Sequence, residues 1–465
     1  MPGVVSIGTY LPYYRLSPAT LGWPHRTSRL LASHDQDSLT LALEASRRCL
    51  LGFDRAKVDA VLFVSSSPPF IEKLSSSILA AGLRLKSDVL ALDVAGSLGG
   101  FGRALSLGLG LIESNRAAYV LIATGDKRRT KPLSQLEATN SDAGAAVLLG
   151  PTGEIASVLG EGFFSSPILD AWQLAGEPYL RDTEERFVQE QGYTSALPRA
   201  LDNLLKKTGL TNEAFSYACI ATPEPRRLPL AIKTLKLKAD SLLGEGLSNS
   251  FGFFGNSSPL FLLNEALLKA NPGELLLLAG YGDGAFSIAL KAADGLLGSR
   301  PKPFPKVFKD VPSYTDALKW HGAMEYSPQA RRPPIDPPSP IAMYRESEQN
   351  LALVGVRCKA CGYPQYPPQR LCTRCRGMDF EKEPFADKRA RLFTYALDTL
   401  GPTPEPPLIV CFIDFEGGGR MQCLMSDADP KALKVGMPLE MSFRRLFSAG
   451  GIPNYFWKCT PLREG

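Results

Sequence analysis

Cys358, Cys361, Cys372 and Cys375 are the residues whose type and spacing point most directly to chemistry. They form two CxxC pairs with ten residues between them. Two such pairs bring four thiolates around one tetrahedral centre, the donor set of structural zinc. Four sulfur ligands leave no position open for water, so such a metal holds a fold together and does no catalysis. The stretch from Gly362 to Pro368 is rich in Gly, Pro and Tyr, as the turn of a zinc ribbon requires. The competing reading is two redox or disulfide pairs. A redox CxxC normally sits in a βαβ context, which this segment lacks.

Other residues with chemical potential are more scattered. Asp142 and Asp283 sit in Gly/Asp turns, where a turn-forming role is favoured. Glu137 and Tyr281 lie near those turns as weaker candidates for proton transfer. Lys127, Arg128, Arg129 and Lys131 form a basic run that could meet phosphates, although a solvated loop is the preferred reading. Cys219 lies on a strand with nothing basic beside it, which reads as core. The aromatic run from Phe251 to Phe254 reads as packing.

These residues need a frame. The chain has 465 residues, enough for two or three domains. Hydrophobic content is 44% and net charge only +5, too dilute to indicate a nucleic-acid partner. The five cysteines outside the ribbon are an odd number in apolar surroundings, which fits reduced thiols and a cytoplasmic setting. No signal peptide is read before the first strand. No apolar run reaches the roughly 20 residues needed to span a bilayer, so no membrane association is expected.

Up to about residue 295, strand-like and helix-like segments alternate, which predicts a layered α/β fold. A strand, a Gly/Asp turn and a returning strand occur at 119–149 and again at 274–290, which predicts an internal duplication. The division read is 1–165 and 166–295 for the two halves, 296–355 for a proline-rich connector laid over a surface, 356–380 for the ribbon and 381–465 for a small β domain. A short helix is expected within 314–326. Five short β-like runs follow residue 385, with a hairpin turn at Gly417, Gly418 and Gly419, and fit a closed barrel of the OB type.

The opening from Gly3 to Leu16, the turn Gly255-Asn256-Ser257-Ser258 and the Gly-rich hairpin from Tyr281 to Ser287 resemble hydroxymethylglutaryl-CoA synthases of the thiolase superfamily. Residues 355–460 resemble the zinc-ribbon and OB-fold proteins that accompany acyl-CoA enzymes. The resemblance implies a thiolase-like duplicated five-layer α/β/α/β/α fold. A C-terminal rubredoxin-like zinc ribbon and a β-barrel (OB-fold) would follow it. It also implies a homodimer, a separate thiolase-like partner subunit, or both.

Family chemistry is condensation on acyl-CoA through a cysteine nucleophile, a glutamate and a histidine. Carried over residue by residue, the cysteine falls on Leu98, the glutamate on Ser66 and the histidine on Ala221, while Asn256 is retained. Ser97 is one residue off the nucleophile position and Glu72 six residues off the glutamate. His25, His34 and His321 lie outside the histidine segment. The expectation is therefore an acyl-CoA-binding, catalytically degenerate subunit or scaffold. Asn256, Gly282, Gly284, Lys127 and Arg128 would serve a coenzyme A thioester. One alternative is an aldolase, lyase or acyltransferase without a cysteine, using Asn256 for the oxyanion and Asp142, Asp283 or Tyr281 as acid or base. The other is an active hydroxymethylglutaryl-CoA synthase.

Overall fold

The computed structural model describes residues 1–21, 27–224, 227–305, 307–325, 335–401 and 403–463. His25 and part of the connector lie outside these residues.

The first half contributes β1 (Gly3–Tyr10), α1 (Ser38–Cys49), β2 (Val58–Ser65), β3 (Leu90–Ala95), α2 (Gly100–Glu113), β4 (Tyr119–Asp126) and β5 (Ala143–Gly150). The second contributes β6 (Ala156–Ser165), α3 (Thr194–Thr208), β7 (Tyr217–Ala221), β8 (Leu242–Leu243), α4 (Ser258–Lys269), β9 (Leu275–Tyr281) and β10 (Gly284–Ala292). Counted from the junction, the strand order is β1-β5-β4-β2-β3 in one direction and β6-β10-β9-β7-β8 in the other. The two orders are the same permutation, so the duplication is real. By this topology β6 opens the second half. The halves therefore divide between residues 150 and 156, ahead of the boundary at 165. Their strands join through Gly3↔Ser157 and Val4↔Ala156. A Cβ at Gly3 would stand 2.3 Å from the Ala156 carbonyl oxygen, so this close approach requires glycine.

Strand alternation sorts the core into layers. On β2, Leu62 and Val64 point to α2 and α4, while Val61 and Phe63 point to α1. On β7, Cys219 and Ala221 face the central helices, and Ala218 and Ile220 face α3. Helix α4 is buried almost all round, as a central helix must be. Helix α3 buries one stripe, Leu197, Ala200, Leu201 and Leu204, and stops at Gly209 in the left-handed region (φ +70°). These are the five expected layers.

The connector does more than cover a surface. Lys309 and Asp310 pair in parallel with Tyr14 and Arg15, and a helix, α5 (Tyr314–Trp320), follows as expected. Two short helices, α6 (Pro340–Arg345) and α7 (Ser347–Leu351), lead to the ribbon. The ribbon has β11 (Val354–Cys358), β12 (Pro364–Gln365) and β13 (Phe380–Pro384), slightly beyond the expected bounds. The closed barrel follows: β14 (Ala390–Asp398), β15 (Leu408–Phe415), β16 (Arg420–Met425), β17 (Pro438–Ala449) and β18 (Ile452–Pro461). All three glycines of the 417–419 turn have positive φ.

The barrel sits on α1 of its own chain. Phe443 N–H donates to Glu44 (2.7 Å) and Tyr455 O–H to Asp37 (2.8 Å). Arg444 is fully buried between Asp35 (3.0 Å) and Asp427 (2.6 Å), and Lys458 also reaches Asp35 (2.7 Å). Paired charges of both signs replace the solvation these groups lose.

Candidate functional site

The segment after β3 turns at Gly96 (φ +84°) and passes Ser97 and Leu98 before α2 begins. This places Leu98 against the second-half hairpin. A Cβ at Gly282 would lie 2.3 Å from Gly99 N and 2.8 Å from Leu98 Cβ, so only glycine fits the contact. Arg103, one turn into α2, secures it by donating to the carbonyls of Gly282 and Asp283. The fold thus brings together Leu98, Gly282 and Asn256, which are far apart in sequence.

Asn256 is fully buried. Its Nδ2 donates to the Ser97 carbonyl (3.0 Å) and to Asp126 (3.2 Å), and its Oδ1 accepts from Phe101 N–H (3.1 Å). Both amide hydrogens are engaged, which leaves no donor for an oxyanion. Asn256 therefore fixes the Ser97–Phe101 turn.

Asp126, at the end of β4, is the organising residue that sequence reasoning missed. One oxygen accepts from the hydroxyls of Ser65, Ser66 and Ser67 and from Ser66 N–H (2.7 Å); the other accepts from Asn256 N–H (2.7 Å). Ser66 thus binds a carboxylate where the resemblance expects one to project. Ala221 ends β7 with a side chain that transfers no proton, and the following Thr222 hydroxyl bonds the Glu224 backbone. Ser97 Oγ accepts from Gly99 N–H and Arg103, and among the described residues no base is bonded to it. The arrangement supplies shape and fixed backbone, without a nucleophile paired to a base.

Other candidates find different places. Tyr281 is buried with α3 and stacks edge-on against Tyr193 (5.7 Å), on the face opposite Leu98. Burial raises its hydroxyl pKa. Gly284 (φ +105°) abuts the Phe164 carbonyl and shapes the hairpin. Asp283 is an exposed turn residue with φ +49°. Asp142, at the matching turn, is not: it is buried, and its Oδ2 accepts from Ala32 N–H (2.8 Å) and meets His321 Nε2 at 2.7 Å. Burial holds His321 below the ordinary histidine range, and the His321 contact helps hold Asp142 below the carboxylate range. Glu137 is tied to Arg29 (3.0 Å) and Tyr314 (2.8 Å). Cys219 is core, with its thiol pKa raised by burial.

The basic run is only in part a solvated loop: Arg129 and Lys131 are exposed, and Lys127 and Arg128 are not. Lys127 reaches inward to the carbonyls of Ser33, Gln36 and Trp320 (2.9–3.1 Å), and burial lowers it to about 8. Arg128 is buried against Asn140 (2.7 Å). Only Arg129 of the three consecutive cations is exposed.

In the ribbon, the four sulfurs lie within 4.8 Å of one another, with Cys358–Cys375 and Cys361–Cys372 at 3.6 Å. Zinc–sulfur bonds of about 2.3 Å in a tetrahedron require sulfurs roughly 3.8 Å apart, so the cluster fits structural zinc. Each CxxC is followed by a left-handed residue, Gly362 (φ +70°) or Arg376 (φ +65°), which folds the knuckle back on itself.

Known proteins match both parts of this geometry. Hydroxymethylglutaryl-CoA synthase of Pyrobaculum calidifontis is 30% identical over 301 residues, covering 62% of this chain and 86% of that protein. The chain belongs to the hydroxymethylglutaryl-CoA synthase family. The Aeropyrum pernix synthase is 28% identical over 319 residues, covering 65% of the chain and 88% of that protein. Residues 345–381 match the ChsH2 rubredoxin-like zinc ribbon domain, and residues 383–444 the ChsH2 C-terminal OB-fold domain. The fold matches 3-oxoacyl-(acyl carrier protein) synthase III, FabH, of Pseudomonas aeruginosa (TM-score 0.57, 21% identity, 65% of this chain and 99% of that one). It also matches a single-substitution variant of OleA from Xanthomonas campestris (TM-score 0.56, 14% identity, 63% and 96%).

Within this synthase-family chain, Asp126 left one faint signal in the sequence: an acidic residue closing an otherwise apolar strand. The Asp142–His321 contact spans 179 residues and left none. Among the described residues, no helix is long and apolar enough to cross a membrane.

Proposed function

We propose that this chain is an acyl-CoA-binding member of its family that has lost condensation chemistry and serves as a subunit or scaffold of a complex forming or cleaving C–C bonds on acyl-CoA. What supports this reading is Leu98, which the resemblance aligns with the nucleophile, set in a close-fitting glycine cradle with Asn256 turned inward. A leucine takes no acyl group, and the neighbouring Ser97 has no base bonded to it among the described residues. Ser66 and Ala221, at the glutamate and histidine positions, supply no acid or base of suitable strength. Acyl-CoA binding is inferred from family membership and from the preserved Gly282 hairpin. Homodimerisation is supported by β3, the last strand of the sheet, whose outer edge has no partner among the described residues.

Titration calorimetry with acetyl-CoA and pull-down with a genomically neighbouring thiolase-like protein test the reading. Binding of at least one is expected, and Gly282→Leu should abolish acetyl-CoA binding because its side chain fills the cradle. Failure of the unaltered chain to bind either would end the proposal.

A further inference from the structure

A cavity of about 740 Å³ lies between the first half, α5 and the barrel. It is within the size range of small-molecule sites. Leu98, Asn256 and Gly282 are not among its walls. Five Lys or Arg side chains line it, namely Lys127, Arg129, Lys319, Arg445 and Lys458, against the single carboxylate of Asp37. Lys458 is neutralised by Asp35 behind the wall, Lys319 pairs with Asp316 (3.4 Å), and Arg445 stands 4.0 Å from Asp37. Lys127 is held by three carbonyls and Arg129 has no carboxylate partner among the described residues, so positive charge is left over. Two lining residues also carry buried nitrogens without a partner among the described residues, His34 Nδ1 and Trp320 Nε1, and Trp320 is only 4% exposed. Unmatched buried polar atoms are costly unless something completes them. The remaining wall is apolar, with Leu408, Leu424 and Phe447 from the barrel.

We propose that this cavity binds an amphiphilic organic anion, an apolar body bearing a phosphate or a carboxylate, at a site separate from the Leu98 cradle. The anion sits toward Lys127, Arg129 and Arg445, and the apolar body lies against the barrel residues. Both domains build the walls, so the ligand stabilises their contact. The proposal does not rest on the reading of the Leu98 cradle.

Calorimetry on the full chain with hexyl phosphate, hexanoate, inorganic phosphate and hexanol tests it. One of the two amphiphilic anions should bind at one per chain, at least about tenfold more tightly than hexanol or inorganic phosphate, as a charge-assisted contact joined to an apolar one requires. Which of the two binds more tightly identifies the head group. Arg129→Gln and Arg445→Gln should each weaken that binding about tenfold. Gly282→Leu should leave it unchanged. Arg129 is exposed, so its replacement keeps the test valid if a variant of the more embedded Arg445 fails to fold. Hexanol binding as tightly as the anions, absence of saturable anion binding, or both arginine variants binding like the unaltered chain would overturn the proposal.

Discussion

The Leu98 cradle and the ribbon–barrel module have kept opposite things. The cradle keeps its backbone: the glycine contact, the Arg103 tie and the Asn256–Asp126 bonds all hold the turn in place. The positions that the resemblance assigns to the reactive residues hold Leu98, Ser66 and Ala221. The ribbon keeps every donor, with four sulfurs at metal-binding distance. The module is also joined to the first half through a buried ionic network centred on Arg444. A scaffold needs shape and attachment, and a catalyst needs particular side chains at the strand ends. The contrast between these two regions favours the scaffold.

Breaking the module should have the largest effect. Cys372→Ser, or removal of metal by a chelator, should unfold the ribbon, because metal binding contributes about 10 kcal/mol or more to such small folds. Metal analysis and thermal melts would show loss of zinc and a new low-temperature transition, and an unchanged melt would contradict the assignment. Next comes Arg444→Met, which leaves Asp35 and Asp427 short of a buried partner and should cost roughly 3–5 kcal/mol. Denaturant titration measures it, and a loss below about 1 kcal/mol would mean that the network is dispensable.

A smaller effect concerns pH. Glu405 of the β14–β15 loop accepts a hydrogen bond from Tyr14 of the first half, and burial raises its pKa to about 7. Its folded pKa lies above its unfolded value near 4.5. The stability it contributes is therefore complete below about 4.5 and lost as pH rises through 7. A decline of about 1–3 kcal/mol between about pH 5 and 8 is expected, allowing for partial exposure. The decline should shrink in Glu405→Gln, and an identical pH dependence in that variant would remove Glu405 as its source. The smallest effect is expected from Leu98→Cys. It should cost about 1 kcal/mol of stability and add a thiol reactive to iodoacetamide, without restoring condensation, because Ser66 and Ala221 remain. Restored turnover would show that only the nucleophile is missing.

Local patterns made much of this legible. The duplication, the ribbon and the barrel rest on short-range signals: apolar runs, turn glycines and cysteine spacing. The contacts that define the sites are long-range. Asp142 reads as a turn residue until α5 brings His321 to it, and Lys127 reads as solvated until three carbonyls from two distant segments surround it. Arg444 and Asp35 are 409 residues apart, so nothing in the sequence places the barrel on α1. Asn256 was legible as a residue the resemblance points to, but the direction of its amide depends on Ser97, Phe101 and Asp126 together.

The most direct test of lost catalysis is turnover of acetyl-CoA plus acetoacetyl-CoA by the purified full chain, measured as CoA release with and without the neighbouring thiolase-like protein. The account predicts no release by the chain alone, and activity restored or raised when the partner is present. CoA release by the chain alone would contradict it and would require another nucleophile, with Ser97 the first to examine.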